Sequence, residues 1–448
     1  MPLLVHAIDL PPDVVDVRAA DVDGDQVEEL VFTSQHHSGR RPDAVTLTVV
    51  DVAPSGTASG RRAISLGRTP TLWDTAPGLW ALDASGARDL LQADASVVPV
   101  SSVLSRLGPS TPRAASILSD IDHDGSPELL AHGGRGLLFV DLATGAVHPL
   151  RAEAYGAVSE SRRRGGAQVE ISVRWPRTEV ADVDGDGIDD IIWLRGDHLT
   201  VWTGRSGAAP VGPKRIDLPI DIDPYIDPAL PPDADRKPVE RVWLEDVDGD
   251  GKVDLVAHRA VMSGSWLGAT AELIVSLGTG TKFSRPALVR TEAAAVDVSL
   301  DDIDSDGDLD LVVPQIEITF SNMARALVAK RMQVEVQLFE WDGGLSVQPQ
   351  ALRSVSVPIE NSESLHVVSA TDLTGDGLAD MVYQEGDGPL QVFAGAKNGM
   401  SEKPWAEVQV EVPPGEESLF LHDVTGNGTP EIIIWGPGRA TGSVVTVQ

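Results

Sequence analysis

Short apolar runs and turn residues alternate along the whole chain, at spacings that suit strands rather than helices. One grammar recurs. A short strand such as Val14–Ala19, Arg241–Glu245, Val296–Leu300 or His366–Ala370 leads into an acidic stretch. A more apolar strand follows it, as in Leu30-Val31-Phe32, Ile191-Ile192-Trp193, Leu311-Val312-Val313 and Ile432-Ile433-Ile434. A third strand runs into a glycine-rich turn (LTVWTGRSG, LIVSLGTGTKF, LQVFAGAKNG), and a fourth is polar and alternating, as in Lys214–Leu218 and Ala406–Val412. Valine, isoleucine and threonine dominate these runs, as expected for pleated surfaces. Only Ser321–Lys330 (SNMARALVAK) reads as a helix.

The acidic stretches begin at residues 21, 120, 182, 246, 302, 372 and 423. The first interval is about twice too long, and Asp83–Asp89 (DASGARD), shortened and with Arg88 where an acid would help, reads as a worn copy that fills it and is not expected to bind metal. With that copy, 448 residues make eight units averaging 56, a period that suits propeller blades. The last unit supplies three strands, Ser418–Leu421, Glu431–Trp435 and Ser443–Val447, while Leu3–Leu10 stands unassigned ahead of the first acidic stretch. Pairing the two would complete a blade and hide exposed sheet edges. The expected fold is all-β: an eight-bladed β-propeller of four-stranded blades, closed by pairing the N-terminal strand with the last blade. Seven blades is the alternative, if Asp83–Arg106 is only a long connection. Residues 1–448 then form a single propeller domain, with residues 320–331 a helical insertion within the sixth blade.

Charge sharpens the picture. The net charge is −33, which argues against nucleic acid or anionic membrane as a partner. No apolar run reaches membrane-spanning length, so no membrane insertion is expected. The opening residues, MPLLVHAIDLPP, lack the charged and long apolar regions of a secretory leader. Cysteine is absent, which removes disulfides and thiolate metal sites.

The acidic stretches share one nine-residue pattern that suits calcium, a hard cation taking six to eight oxygens. Position 1 is Asp21, Asp120, Asp182, Asp246, Asp302, Asp372 or Asp423. Position 3 is Asp23, Asp122, Asp184, Asp248, Asp304, Thr374 or Thr425. Position 5 is Asp25, Asp124, Asp186, Asp250, Asp306, Asp376 or Asn427. A glycine at position 6, replaced by Gln26 in the first copy, turns the chain so that a position-7 carbonyl points inward. Those carbonyls belong to Val27, Ser126, Ile188, Lys252, Asp308, Leu378 and Thr429. Position 9, at the start of the next strand, closes the cage with Glu29, Glu128, Asp190, Asp254, Asp310, Asp380 or Glu431. In all, 25 of the 68 carboxylates stand at ligand positions, so seven bound Ca2+ ions would relieve much of the self-repulsion. An EF-hand needs a position-12 Glu and flanking helices. Position 12 here is Phe32, Ala131, Trp193, Ala257, Val313, Tyr383 or Ile434, all apolar and strand-like. Magnesium prefers to keep its waters. The loops at Asp182, Asp246 and Asp302 carry a full acidic set, and those at Asp21 and Asp423 are expected to be weakest.

These loops, their place between the first two strands, and turns such as Leu277–Phe283 (LGTGTKF) resemble the FG-GAP/VCBS repeat family, relatives of the integrin α-subunit propeller. The resemblance covers essentially the whole chain. It implies a calcium-bearing propeller, usually extracellular, most often used for adhesion or protein binding.

Catalytic signatures are missing: the sequence has no GxSxG elbow, no P-loop and no dinucleotide glycine pattern. His132 and His258 follow their loops at the same distance, which suits packing on one strand face. Trp193, Trp202, Trp243 and Trp435 read as blade-to-blade packing, while Trp73, Trp80, Trp266 and Trp405 lie nearer loops and are candidates for exposed contacts. Arg162, Arg163 and Arg164, read as a loop of the third unit, and Arg325, Lys330 and Arg331 on the helix are basic spots in insertions, where function concentrates. The expectation is a non-catalytic binding propeller outside the cytoplasm, either extracellular, on the cell surface or periplasmic. Its partner would be a protein or surface glycan, with membership of a larger cell-surface assembly left open. The alternative is a polysaccharide lyase or lectin acting at the propeller face.

Overall fold

The computed structural model describes the chain except for residues 1–2, 38–41, 68–71, 76–77, 84, 93–96, 100–112, 115–117, 134–135, 152–154, 164–165, 175–176, 223–240, 262–268, 296–297, 305, 347–348, 359–364, 386–387, 397–398, 414, 416–417 and 448. Arg164 and Trp266 therefore lie outside the described residues.

The strands assemble into eight separate sheets of four or five, one after another along the chain. Blade 1 runs from Val14–Ala20 through Glu29–His37 and Pro42–Val52 to Ala58–Gly67. Blade 4 repeats the pattern with Arg177–Ala181, Asp190–Leu194, His198–Thr203 and Val211–Asp217, and blade 5 with Arg241–Glu245, Asp254–Val261, Thr270–Ser276 and Ala287–Arg290. Blade 8 takes Leu419–His422, Glu431–Ile434 and Thr441–Val447 from the end of the chain and Leu3–Asp9 from its start. The seam is antiparallel and continuous, from Leu3 opposite Val447 to Asp9 opposite Thr441. This is the eight-bladed, N-terminally closed propeller that the sequence implies.

Its core lies between blades. The second strand of each blade alternates its side chains between two neighbours, so both faces are apolar. In blade 4, Ile191 and Trp193 join Phe139 and Leu150 of blade 3, whose strands include Gly136–Asp141 and Val147–Arg151. Ile192 and Leu194 instead join Val242 and Leu255 of blade 5. Eight such apolar wedges follow in order around the ring. The last joins Trp435 and Val444 to Val17 and Phe32 across the seam, which excludes the seven-bladed alternative.

The worn copy at Asp83–Asp89 does mark a blade, and its form is a hairpin: Trp80–Asp83 pairs with Gly86–Asp89, with Asp83 opposite Gly86. That blade is also built differently, since Leu72–Asp74 pairs in parallel with Arg113–Ala114. Two local expectations need correction. Trp73 is fully buried against Leu79 and Val31 and offers no exposed contact. Arg162 and Arg163 stand in a two-stranded hairpin, Tyr155–Arg163 with Gly166–Arg174, rather than in a loop. His258 is buried, as a packing role requires.

In blade 6, helix α1 (Phe320–Ala329) connects Asp310–Ile316 to Arg331–Phe339. Acidic loops join first to second strands, whereas α1 joins a second strand to a third. In a meander of antiparallel strands the two connections lie at opposite ends of the blade.

Candidate metal centres

Each acidic loop folds around its own carboxylates. At Asp182, Oδ1 accepts from Gly185 N (2.8 Å) and Oδ2 from Gly187 N (2.7 Å). Asp186 Oδ1 accepts from Ile188 N at 2.9 Å, and Asp190 Oδ2 from Val183 N at 3.1 Å. The position-6 amide meets the position-1 carboxylate in all seven loops. The position-7 amide meets the position-5 side chain in all seven as well. These bonds fix the position-1 and position-5 side chains against the turn of each loop.

Among the described residues, five loops bring three carboxylates within 4.8 Å of one another. They are Asp21, Asp23 and Glu29; Asp120, Asp122 and Glu128; Asp182, Asp184 and Asp190; Asp246, Asp248 and Asp250; and Asp302, Asp304 and Asp306. The remaining position-5 acids of the first three, Asp25, Asp124 and Asp186, each accept the position-7 amide. In the loop at Asp246, the Lys252 ammonium also contacts Asp250 Oδ2 at 2.7 Å. The loop at Asp372 substitutes Thr374, whose hydroxyl lies 3.4 Å from Asp372 Oδ1. The loop at Asp423 closes on itself: Thr425 Oγ1 and Asn427 Nδ2 both donate to Glu431 Oε1, at 2.9 and 3.3 Å.

The position-9 acid does more than close the cage. Asp190, Asp254 and Asp380 turn Oδ1 to the amides of Gly204, Gly278 and Gly395, at 2.7, 2.6 and 2.8 Å. Each of these glycines follows a third strand. A Cβ on Gly204 would lie 2.1 Å from Asp189 O, and one on Gly278 would lie 2.0 Å from Val253 O. In blade 6 the same place is taken by Trp341, whose amide lies 2.8 Å from Asp310 Oδ1, but at Gly204 and Gly278 the facing backbone leaves no room for a side chain. The glycine was visible in the sequence, but its tie to the loop was not.

Burial makes these acids costly without a counter-ion. It pushes Glu128 up to about 8 and Glu29 up to about 7, with neighbouring aspartates adding to the rise. Asp190, Asp254 and Asp310 rise to about 6 for the same reason, against amide hydrogen bonds that lower them. Glu128 is fully buried, and its Oε1 meets no hydrogen-bond donor among the described residues. Its other oxygen accepts from Ile121 N at 2.8 Å. An orphaned carboxylate oxygen beside Asp120 and Asp122, in an all-oxygen donor set, fits a hard divalent cation.

Neighbouring loops are bonded to one another. Val253 N donates to Asp182 O (3.2 Å), Leu309 N to Val247 O (2.8 Å) and Ala379 N to Ile303 O (2.9 Å). The loops of blades 4 to 7 thus form a continuous chain of backbone contacts. At the seam, His422 Nδ1 lies 2.8 Å from Glu28 Oε2. The first strands are stitched similarly, with Arg177 Nη1 donating to Val242 O (2.9 Å) and Arg241 Nη1 to Val298 O (3.3 Å). A cavity of about 560 Å³ lies beside the first strands of blades 8 and 1, lined by Asp16, Arg18, Thr75, Phe420 and His422.

A search of curated proteins found no match to this chain. Among solved structures, an Agrocybe aegerita lectin that recognises non-reducing terminal N-acetylglucosamine is 16% identical, with TM-score 0.42, over 89% of this chain and 92% of its own. The V. cholerae biofilm matrix protein Bap1 is 13% identical, with TM-score 0.24, over 96% of this chain and 76% of its own. At that degree of superposition neither protein's role transfers to this chain. Residues 242–313 match the FG-GAP-like repeat family. The matched stretch runs from the first strand of blade 5, through the loop at Asp246 and the loop at Asp302, into the second strand of blade 6. The chain is a β-propeller that carries an FG-GAP-like repeat.

Proposed function

We propose that this protein is a calcium-stabilised, non-catalytic propeller that binds a protein or a surface glycan outside the cytoplasm. One observation supports the reading above others: a fully buried Glu128 with an unmet oxygen, facing two aspartates in a loop built seven times. Burying like charges together is unfavourable unless an ion of opposite charge joins them. Extracellular sites of this kind have dissociation constants of roughly 0.1–1 mM, so they fill outside the cell and stay empty in the cytosol. Residues 1–448 act as one domain, with the insertion at 320–331 carried by blade 6. The ions are staples that hold blades in place for a binding surface.

The cavity by the first strands does not favour a lyase. Arg18 lies near Asp16 and Asp74, at 3.7 and 3.9 Å, and His422 is paired with Glu28. Neither is presented as an unengaged cation for a uronate. The test is thermal melting of the full chain in millimolar calcium, in magnesium alone and with chelator. Each site at ten times its dissociation constant adds roughly 1.4 kcal/mol, so chelation is expected to lower Tm by about 5 °C or more. An unchanged Tm overturns the calcium reading. Release of unsaturated sugars from uronic polysaccharides overturns the non-catalytic one.

A further inference from the structure

Helix α1 is turned inside out. Thr319 caps it, accepting from Asn322 N at 3.2 Å, and Lys330 ends it in the left-handed region at φ 56°. Ala326 is buried toward the blade, yet Phe320, Leu327 and Val328 are 77%, 74% and 87% exposed. With Ala324 they fall at i, i+4, i+7 and i+8, a single apolar stripe facing solvent. The other exposed large apolar residues among those described reach only 39–46%. Such a stripe marks an interaction surface rather than a chance exposure.

Beside the helix lies a groove of about 560 Å³, with Ile318, Met323 and Met332 among its apolar lining and Glu317, Glu335 and Gln333 among its polar lining. Thr319–Lys330 contains two cations, Arg325 and Lys330, and no acid, in a chain of net charge −33. A cationic apolar helix therefore sits next to a carboxylate-bearing groove on the same surface. That is the self-complementarity which a two-fold contact demands, because each patch must meet the other's counterpart.

The placement also settles the electrostatics. Two copies that met through α1 would hold their acidic loops at the far ends of both blades. Charges that distant are screened beyond the Debye length of about 8 Å at physiological salt. A stable interface needs about 800 Å² from each copy, and a ten-residue helix is only about 15 Å long, so the groove must take part.

We propose that α1 and its groove form a two-fold interface with a second copy of this chain. The stripe of Phe320, Leu327 and Val328 packs against the second copy's helix and groove, and Lys330 approaches the groove carboxylates of that copy. The experiment is sedimentation velocity on the full chain in calcium and physiological salt, over a range of micromolar concentrations. The wild type is expected to be dimeric. Leu327→Asp combined with Val328→Asp changes exposed positions only, and should give a monomer with unchanged melting. Lys330→Glu should weaken the dimer about tenfold, the factor set by 1.4 kcal/mol, and Glu335→Lys added to it should restore affinity. A monomeric wild type, including one that binds some other protein through α1, overturns the proposal. So does a dimer that survives the paired aspartates, or a charge swap that fails to rescue.

Discussion

Gln26 occupies the sharp turn of the first acidic loop at φ 72°, where the other six loops place glycine at φ 81–96°. A side chain in that region costs about 1–2 kcal/mol through contact with the following carbonyl. Gln26→Gly should therefore stabilise the protein by about 1 kcal/mol, read as a higher denaturant midpoint with an unchanged slope. A loss of stability would mean that the Gln26 side chain makes a compensating contact. The missing glycine was legible in the sequence. The left-handed geometry it forces on glutamine was legible only by analogy with the other copies. Glu128 shows the opposite limit, since its letter declared a ligand while nothing in the sequence revealed that one oxygen is left without a donor.

At the scale of elements, the strands were legible wherever alternation met an acidic loop. Arg241–Glu245 matches the observed strand residue for residue. The worn copy at Asp83 is instructive. Asp83 Oδ1 accepts from Ser85 N at 2.7 Å, just as Asp141 Oδ1 accepts from Thr144 N at 3.0 Å in another hairpin turn. Acid-and-glycine composition serves both a hairpin and a cation loop, and only alternate acids at positions 1, 3 and 5 separate them. The Tyr155–Arg174 hairpin escaped notice because its alternation is interrupted by charge and glycine. The seam strand was readable from edge logic alone. Removing residues 1–10 should leave the Thr441–Val447 edge unpaired and lower Tm while promoting aggregation. A synthetic peptide copying Leu3–Leu10 should reverse both effects, seen by light scattering; failure to do so would mean the seam is not a simple strand addition.

For the whole molecule, the buried position-9 acids set how stability responds to pH when no ion is bound. Their native values, about 8 for Glu128, about 7 for Glu29 and about 6 for Asp190, Asp254 and Asp310, lie above those of an unfolded chain. Between the two the folded protein holds more protons, so its stability falls as pH rises from about 4 to about 8. Chelated protein should melt higher at pH 5 than at pH 8. Calcium should shrink or reverse that difference, because it binds the ionised form. A chelated protein that gains stability toward pH 8 would show that the amide hydrogen bonds outweigh burial.

The backbone contacts that run from loop to loop have a spectroscopic consequence. The amide hydrogens of Val253, Leu309 and Ala379 are each held by a carbonyl of the preceding loop. Their exchange with deuterium is gated by a segment in the preceding blade rather than by their own. A slow amide at Leu309 therefore records the rigidity of the turn at Asp246, and a sequence of such readings would trace order passing around the ring.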